Sequence, residues 1–114
     1  MKVLSDIKLK QKDRGAVEAA VRLLRQRFPV EQAILYGSKA RGTDDEESDI
    51  DLLLLTSREL TWDERNAVTD ALFDIQLDHD VVISTLIVPT WEWTEGRFAV
   101  LPIHEEITRD GVAA

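Results

Sequence analysis

The sequence predicts a single α/β domain, on three observations. Between residues 13 and 28, apolar side chains recur at spacings of three and four, the period of an amphipathic helix. Two apolar runs of strand length, residues 30–36 and 48–56, flank a Gly37-Ser38 turn and an acidic loop. A capping-box sequence at Thr61 then opens a second helix that leads into a third apolar run from Val81. Helical and extended segments alternating in this way define the class, and 114 residues suit one core with no room expected for a second domain.

Taken in order, residues 1–12 are polar with weak alternation at Ile7 and Leu9, and read as a short strand or a loose arm without assigned function. Residues 13–114 are expected to form the domain proper. Its first helix carries Val17, Ala20, Val21, Leu24 and Phe28 on one stripe, with Asp13 as candidate cap and Pro29 as stop. Arg22, Arg25 and Arg27 fall off that stripe and read as a solvated face. The second helix starts at Thr61-Trp62-Asp63-Glu64 and runs to about Leu77, burying Val68, Ala71, Leu72 and Ile75 and leaving Asp63, Glu64, Asp70 and Asp74 in water. The polar cluster Asp78-His79-Asp80 runs into a third strand that ends at Pro89. Trp91 and Trp93, two apart in a strand or turn, suggest one core residue and one partner contact. Pro102 in a first helical turn and Gly111 as stop mark a short last helix containing Glu106 and Ile107.

Composition excludes several classes. A formal charge of −8 and a pI of about 4.7 argue against binding a phosphate backbone, which needs clustered Lys and Arg. Asp44-Asp45-Glu46-Glu47 reads as a solvated loop. Without cysteine there is no disulfide and no thiolate zinc site, which suits a reducing cytosol. No signal-peptide core and no run of membrane-spanning length appears, so a soluble, cytoplasmic protein with no membrane partner is expected.

The chemistry is concentrated between Ala33 and Thr56. Side chains two apart on a strand share a face, so Asp49 and Asp51 present paired carboxylates while Ile50 points away. Such a pair can share a divalent cation, and magnesium takes one or two carboxylates with substrate phosphates completing its octahedron. Gly37 lets the chain turn tightly and a phosphate approach, and Ser38 begins a short helical turn whose free N–H groups and hydroxyl suit an anion.

These residues resemble the DNA polymerase beta-type nucleotidyltransferase superfamily, whose signature is Gly-Ser, a spacer and Asp-x-Asp. Here ten residues, from Lys39 to Ser48, separate Ser38 from Asp49. The fuller string, Tyr36-Gly37-Ser38-Lys39-Ala40-Arg41-Gly42 with Ser48-Asp49-Ile50-Asp51-Leu52, is most similar to the minimal nucleotidyltransferases of bacteria and archaea.

The resemblance implies the nucleotidyltransferase palm, a small mixed sheet with helices packed against it. It implies transfer of AMP from ATP to a hydroxyl, with Asp49 and Asp51 bridging two Mg²⁺ ions and Gly37, Ser38 and Arg41 at the triphosphate. Arg41 could equally pair with an aspartate to hold the turn, and Lys39 reads as solvated. A third carboxylate is expected on the third strand as metal ligand or base. Asp80 is the best match and Asp78 the fallback. Family members often neutralise a helical HEPN-type toxin, some by adenylylating it, which makes such a toxin the expected partner. The alternatives are a nucleotidyltransferase-fold module that neutralises by contact alone, or a small-molecule transferase. The oligomeric state, homo-oligomer included, stays open.

Overall fold

The apolar run at 52–55 becomes the inside of strand β3 (Ile50–Thr56), in which Ile50, all four leucines and Thr56 are buried. Such burial follows from cover on both faces of the sheet, where nothing favours polar alternation. The computed structural model describes residues 1–45 and 47–114; Glu46, read above as part of a solvated loop, lies outside them. β3 pairs antiparallel with β2 (Val30–Tyr36) and parallel with β4 (Ile83–Pro89). Two short strands complete the sheet. β5 (Val112–Ala113) lies antiparallel against β2, and β1 (Lys2–Val3) is parallel to β5, giving the order β1-β5-β2-β3-β4. The sheet is mixed, as the α/β palm requires.

Helices α1 (Gln11–Arg27) and α3 (Trp62–His79) cover one face, packing Val17, Leu24, Val68 and Leu72 against Ile50, Leu52 and Leu54. The opposite face is closed by α4 (Thr90–Thr94) and α5 (Pro102–Asp110), whose Trp93 and Ile107 meet Ile34, Leu53, Leu55 and Val88. Each fully buried leucine contributes about 1.5–3 kcal/mol relative to exposure, so the two layers hold β3 firmly. Asp49 and Asp51 sit where this strand begins.

Local chemistry explains the ends. Thr61 Oγ1 accepts from the Glu64 N–H at 3.1 Å, and Glu64 Oε1 accepts from the Thr61 N–H at 2.9 Å, the predicted capping box. Glu64 also meets the Arg58 guanidinium through both oxygens, which holds its carboxyl down to about 2. Three expectations change. α1 starts at Gln11 behind Lys10, so Asp13 is not its cap. α3 continues to His79, past Leu77. Trp91 and Trp93 lie on a short helix rather than a strand or turn, Trp93 buried and Trp91 exposed. The residues at 2–3, read as a strand or arm, pair with β5, a strand too short for any periodicity to reveal. Among the described residues no helix is long and apolar enough to cross a membrane.

Candidate active site

β2 ends at Tyr36, and the chain turns through Gly37 into the four-residue helix α2 (Ser38–Arg41). Gly37 has φ +77° and ψ −158°, a region open essentially to glycine alone. The Arg41 N–H donates to the Gly37 carbonyl and the Thr43 N–H to the Ser38 carbonyl, which closes the turn. A Cβ at Gly37 would run into the carboxylate of Asp51. The turn and the Asp51 carboxylate are therefore in direct contact, so one ligand can touch both.

Asp49 precedes β3 and is exposed, Ile50 is fully buried, and Asp51 is half-buried. Alternation sends Asp51 to the α4/α5 side with Leu53, while Ile50 joins the α1/α3 side. The Ser84 hydroxyl of β4 lies 3.3 Å from Asp49 Oδ2 and donates to it. Burial pushes the Asp51 carboxyl above the usual carboxylate range, and the charges of Asp49 and Glu106 push it further while Arg41 opposes them. Tyr36, opposite Asp51 in the β2–β3 register, is raised by its own burial and then by Asp51 and Glu106. This is a cluster of oxygen donors with excess negative charge, and such a set fits a hard divalent cation. Asp49 and Asp51 would hold it.

Arg41 Nη1 donates to Glu106 Oε1 of α5 at 3.1 Å, so its positive charge stays on the same side as Asp51. The pair is partly exposed, and its effect is chiefly to place charge. Lys39, read as solvated, is instead buried. Its Nζ donates to Asp13 at 2.9 Å and to Asp44 at 3.2 Å. Burial lowers its pKa, but the two hydrogen-bonded carboxylates outweigh this and the net shift is upward. Asp44 is correspondingly drawn in from the loop. The physical reason is packing: Lys39 on α2 points back beneath α1, where only a paired charge is tolerated.

Asp80 is not brought onto a strand beside Asp49 and Asp51. It is the left-handed C-cap of α3, with φ +54°, and its side chain is wholly exposed, 3.9 Å from Lys12 Nζ. Asp78 lies exposed in the last turn of the same helix. The helix extends two residues beyond the predicted end and takes up the polar cluster, so β4 begins only at Ile83. In register, Asp51 faces Ser84 and Ile50 faces Ile83, and the Ile50 N–H donates to the Val82 carbonyl. The position level with Asp49 thus belongs to Val82. Among the described residues no group of three His, Asp or Glu side chains is close enough to hold a metal. Tyr36, Ser84 and Glu106 join the site without having been singled out. Tyr36 is the last residue before Gly37 and could have been found from that, whereas Ser84 and Glu106 arrive through strand pairing and helix packing that no local pattern announces.

The turn-and-carboxylate arrangement agrees with what the chain is similar to. Residues 18–91 match the family described as polymerase beta, nucleotidyltransferase, and the chain belongs to that family. Gly37, Ser38, Asp49 and Asp51 all fall inside the match. A Methanocaldococcus jannaschii protein bearing the name of a protein adenylyltransferase is 38% identical over 58 residues, which is 51% of this chain and 59% of that relative's own length. Among solved structures, a toxin–antitoxin crystallised with AMP-PNP superposes with a TM-score of 0.61 at 16% identity, covering 91% of this chain and 72% of the other. The toxin–antitoxin MntA-HepT gives 0.56 at 15% identity, covering 88% and 69%. At these identities the structural likeness is one of fold.

Proposed function

We propose that this nucleotidyltransferase moves AMP from Mg-ATP to a hydroxyl of a partner protein, a HEPN-type helical toxin, and so acts as its antitoxin in the cytoplasm. The observation that carries the reading is the contact between the Gly37 turn and the Asp51 carboxylate, with Asp49 alongside. The name of the Methanocaldococcus relative supports a protein acceptor, and the AMP-PNP in a solved neighbour supports adenine.

In this reading Gly37 and Ser38 hold the β- and γ-phosphates and fix the triphosphate for in-line attack. The acceptor hydroxyl loses its proton to water as its oxygen bonds to the α-phosphorus and the bond to pyrophosphate breaks. Magnesium, bound by Asp49 and Asp51, would supply neutralising charge and lower the pKa of the attacking hydroxyl. Ser84 steers Asp49 by its hydrogen bond, and Arg41 can turn from Glu106 toward the phosphates.

The exposed placement of Asp80 and the valine at position 82 favour a second reading, in which the fold binds nucleotide weakly and silences its partner by contact. Intact-mass measurement of a helical toxin encoded beside this chain, after incubation with ATP and Mg²⁺, separates the two. A gain of one or more AMP units, absent with the Asp49→Asn, Asp51→Asn double variant, establishes transfer. A tight complex without mass gain establishes the contact reading.

A further inference from the structure

Helix α3 carries apolar side chains on two separate sides. Its inner side sends Val68 and Leu72 into the core, while on its outer side Trp62 is 76% exposed, Phe73 59% and Leu77 65%. Positions 62, 73 and 77 are eleven and four residues apart, so on a helix the three side chains return to one line. Scattered exposed apolar residues need no explanation, but three large ones aligned along one helix form a contact stripe. The stripe has an acidic border. Asp63, Asp70, Asp74 and Asp78, all exposed, follow one another at spacings of seven and four along its flank. Arg27 of α1 reaches the far edge of that row near Asp70 and Asp74, and leaves it in acidic excess. Arg65 and His79, the basic side chains of α3 itself, are half-buried on the side turned toward the core.

We infer that the outer face of α3 docks a basic amphipathic helix of a partner protein. Its apolar ridge would seat on Trp62, Phe73 and Leu77 in the helix-to-helix manner, and its Lys or Arg row would lie along the four aspartates. Complementary rows of charge select and steer such a partner, and like rows repel it. A second copy of this chain is the wrong occupant for that reason: it carries −8 and would bring a second acidic row to the first. The surface is also separate from the site described above. α3 packs on the side of Ile50 and Leu52, whereas Asp51 shares the other face with Leu53. The inference therefore does not rest on the transfer chemistry, and a partner held on α3 leaves the nucleotide face free.

Two synthetic amphipathic peptides with the same leucine stripe, one flanked by lysines and one by glutamates, test this by titration into the isotope-labelled full chain. The lysine peptide should bind, weaken with added salt, and shift amide signals along residues 62–78. Replacing Phe73 and Leu77 together by serine should weaken it by about tenfold or more, as loss of buried anchors does. Both positions are exposed, so the melting temperature should hold. As a control independent of those anchors, Asp70→Lys with Asp74→Lys should exchange the preference of the two peptides. The Asp49→Asn, Asp51→Asn variant should bind as well as the native chain. Equal binding of the glutamate peptide, shifts centred away from α3, no exchange on charge reversal, or a self-dimer dissolved by the serine variant would each overturn the proposal.

Discussion

Gly37 and Asp51 are so close that neither can be considered alone. The backbone at Gly37 lies where an alanine costs about 1–3 kcal/mol, and its Cβ would also displace the Asp51 carboxylate. Gly37→Ala should lower stability by that amount in chemical denaturation and weaken Mg-ATP binding in calorimetry. Asp51 carries the opposite message. Its folded pKa is raised by burial and by Asp49, so protonation favours the folded state and the ionised form at neutral pH costs stability. Asp51→Asn should therefore raise the melting temperature in EDTA. In the native chain this penalty should fade as pH falls through the raised pKa, and below it Asp51 should be protonated and cation binding should be lost. Added Mg²⁺ should stabilise the native chain and leave Asp51→Asn unmoved; a drop in melting temperature for the variant in EDTA would refute this electrostatic picture.

The elements show where local pattern suffices and where it does not. Helix α3 begins where Thr61 and Glu64 cap each other, and β3 lies where its leucine run places it, because both depend on neighbours in sequence. The far end of α3 is different. Nothing local says whether Asp78-His79-Asp80 closes a helix or opens a strand, and the left-handed Asp80 decides for the helix. That two-residue extension changes what stands level with Asp49 at the entry to β4, from a carboxylate to Val82. Val82 is exposed and lies two residues before Ser84, whose hydroxyl meets Asp49, so a carboxylate there is expected to stand beside the pair. Val82→Asp should tighten Mn²⁺ binding by about tenfold, since ligand charge count sets affinity in such sites. Unchanged affinity would mean that position 82 does not face the carboxylates.

At the scale of the molecule, the fold is legible because each apolar run is long enough to choose a layer, whereas the candidate site is legible only where its proposed parts lie close in sequence. Gly37, Ser38, Asp49 and Asp51 are such parts; Glu106 and Ser84 are not. Lys39 is the plainest case of what sequence hides. Beside an acidic loop it reads as solvated, yet it ties the Gly37 turn to Asp13 of α1 in the interior. Removing one partner of a buried pair leaves an uncompensated charge, so Lys39→Met should cost about 3–5 kcal/mol in urea unfolding, and a neutral effect would show the pair to be incidental. The proposed chemistry requires the Gly37 turn and the Asp49–Asp51 pair to form a single metal–triphosphate site. Calorimetric titration of ATP with Mg²⁺ or with EDTA, on the native chain and on the Asp49→Asn, Asp51→Asn variant, tests it most directly. Binding that needs Mg²⁺ and weakens by about tenfold or more in the variant, the scale of losing strong charged contacts, is the predicted result. Binding indifferent to both the metal and the two aspartates would contradict it.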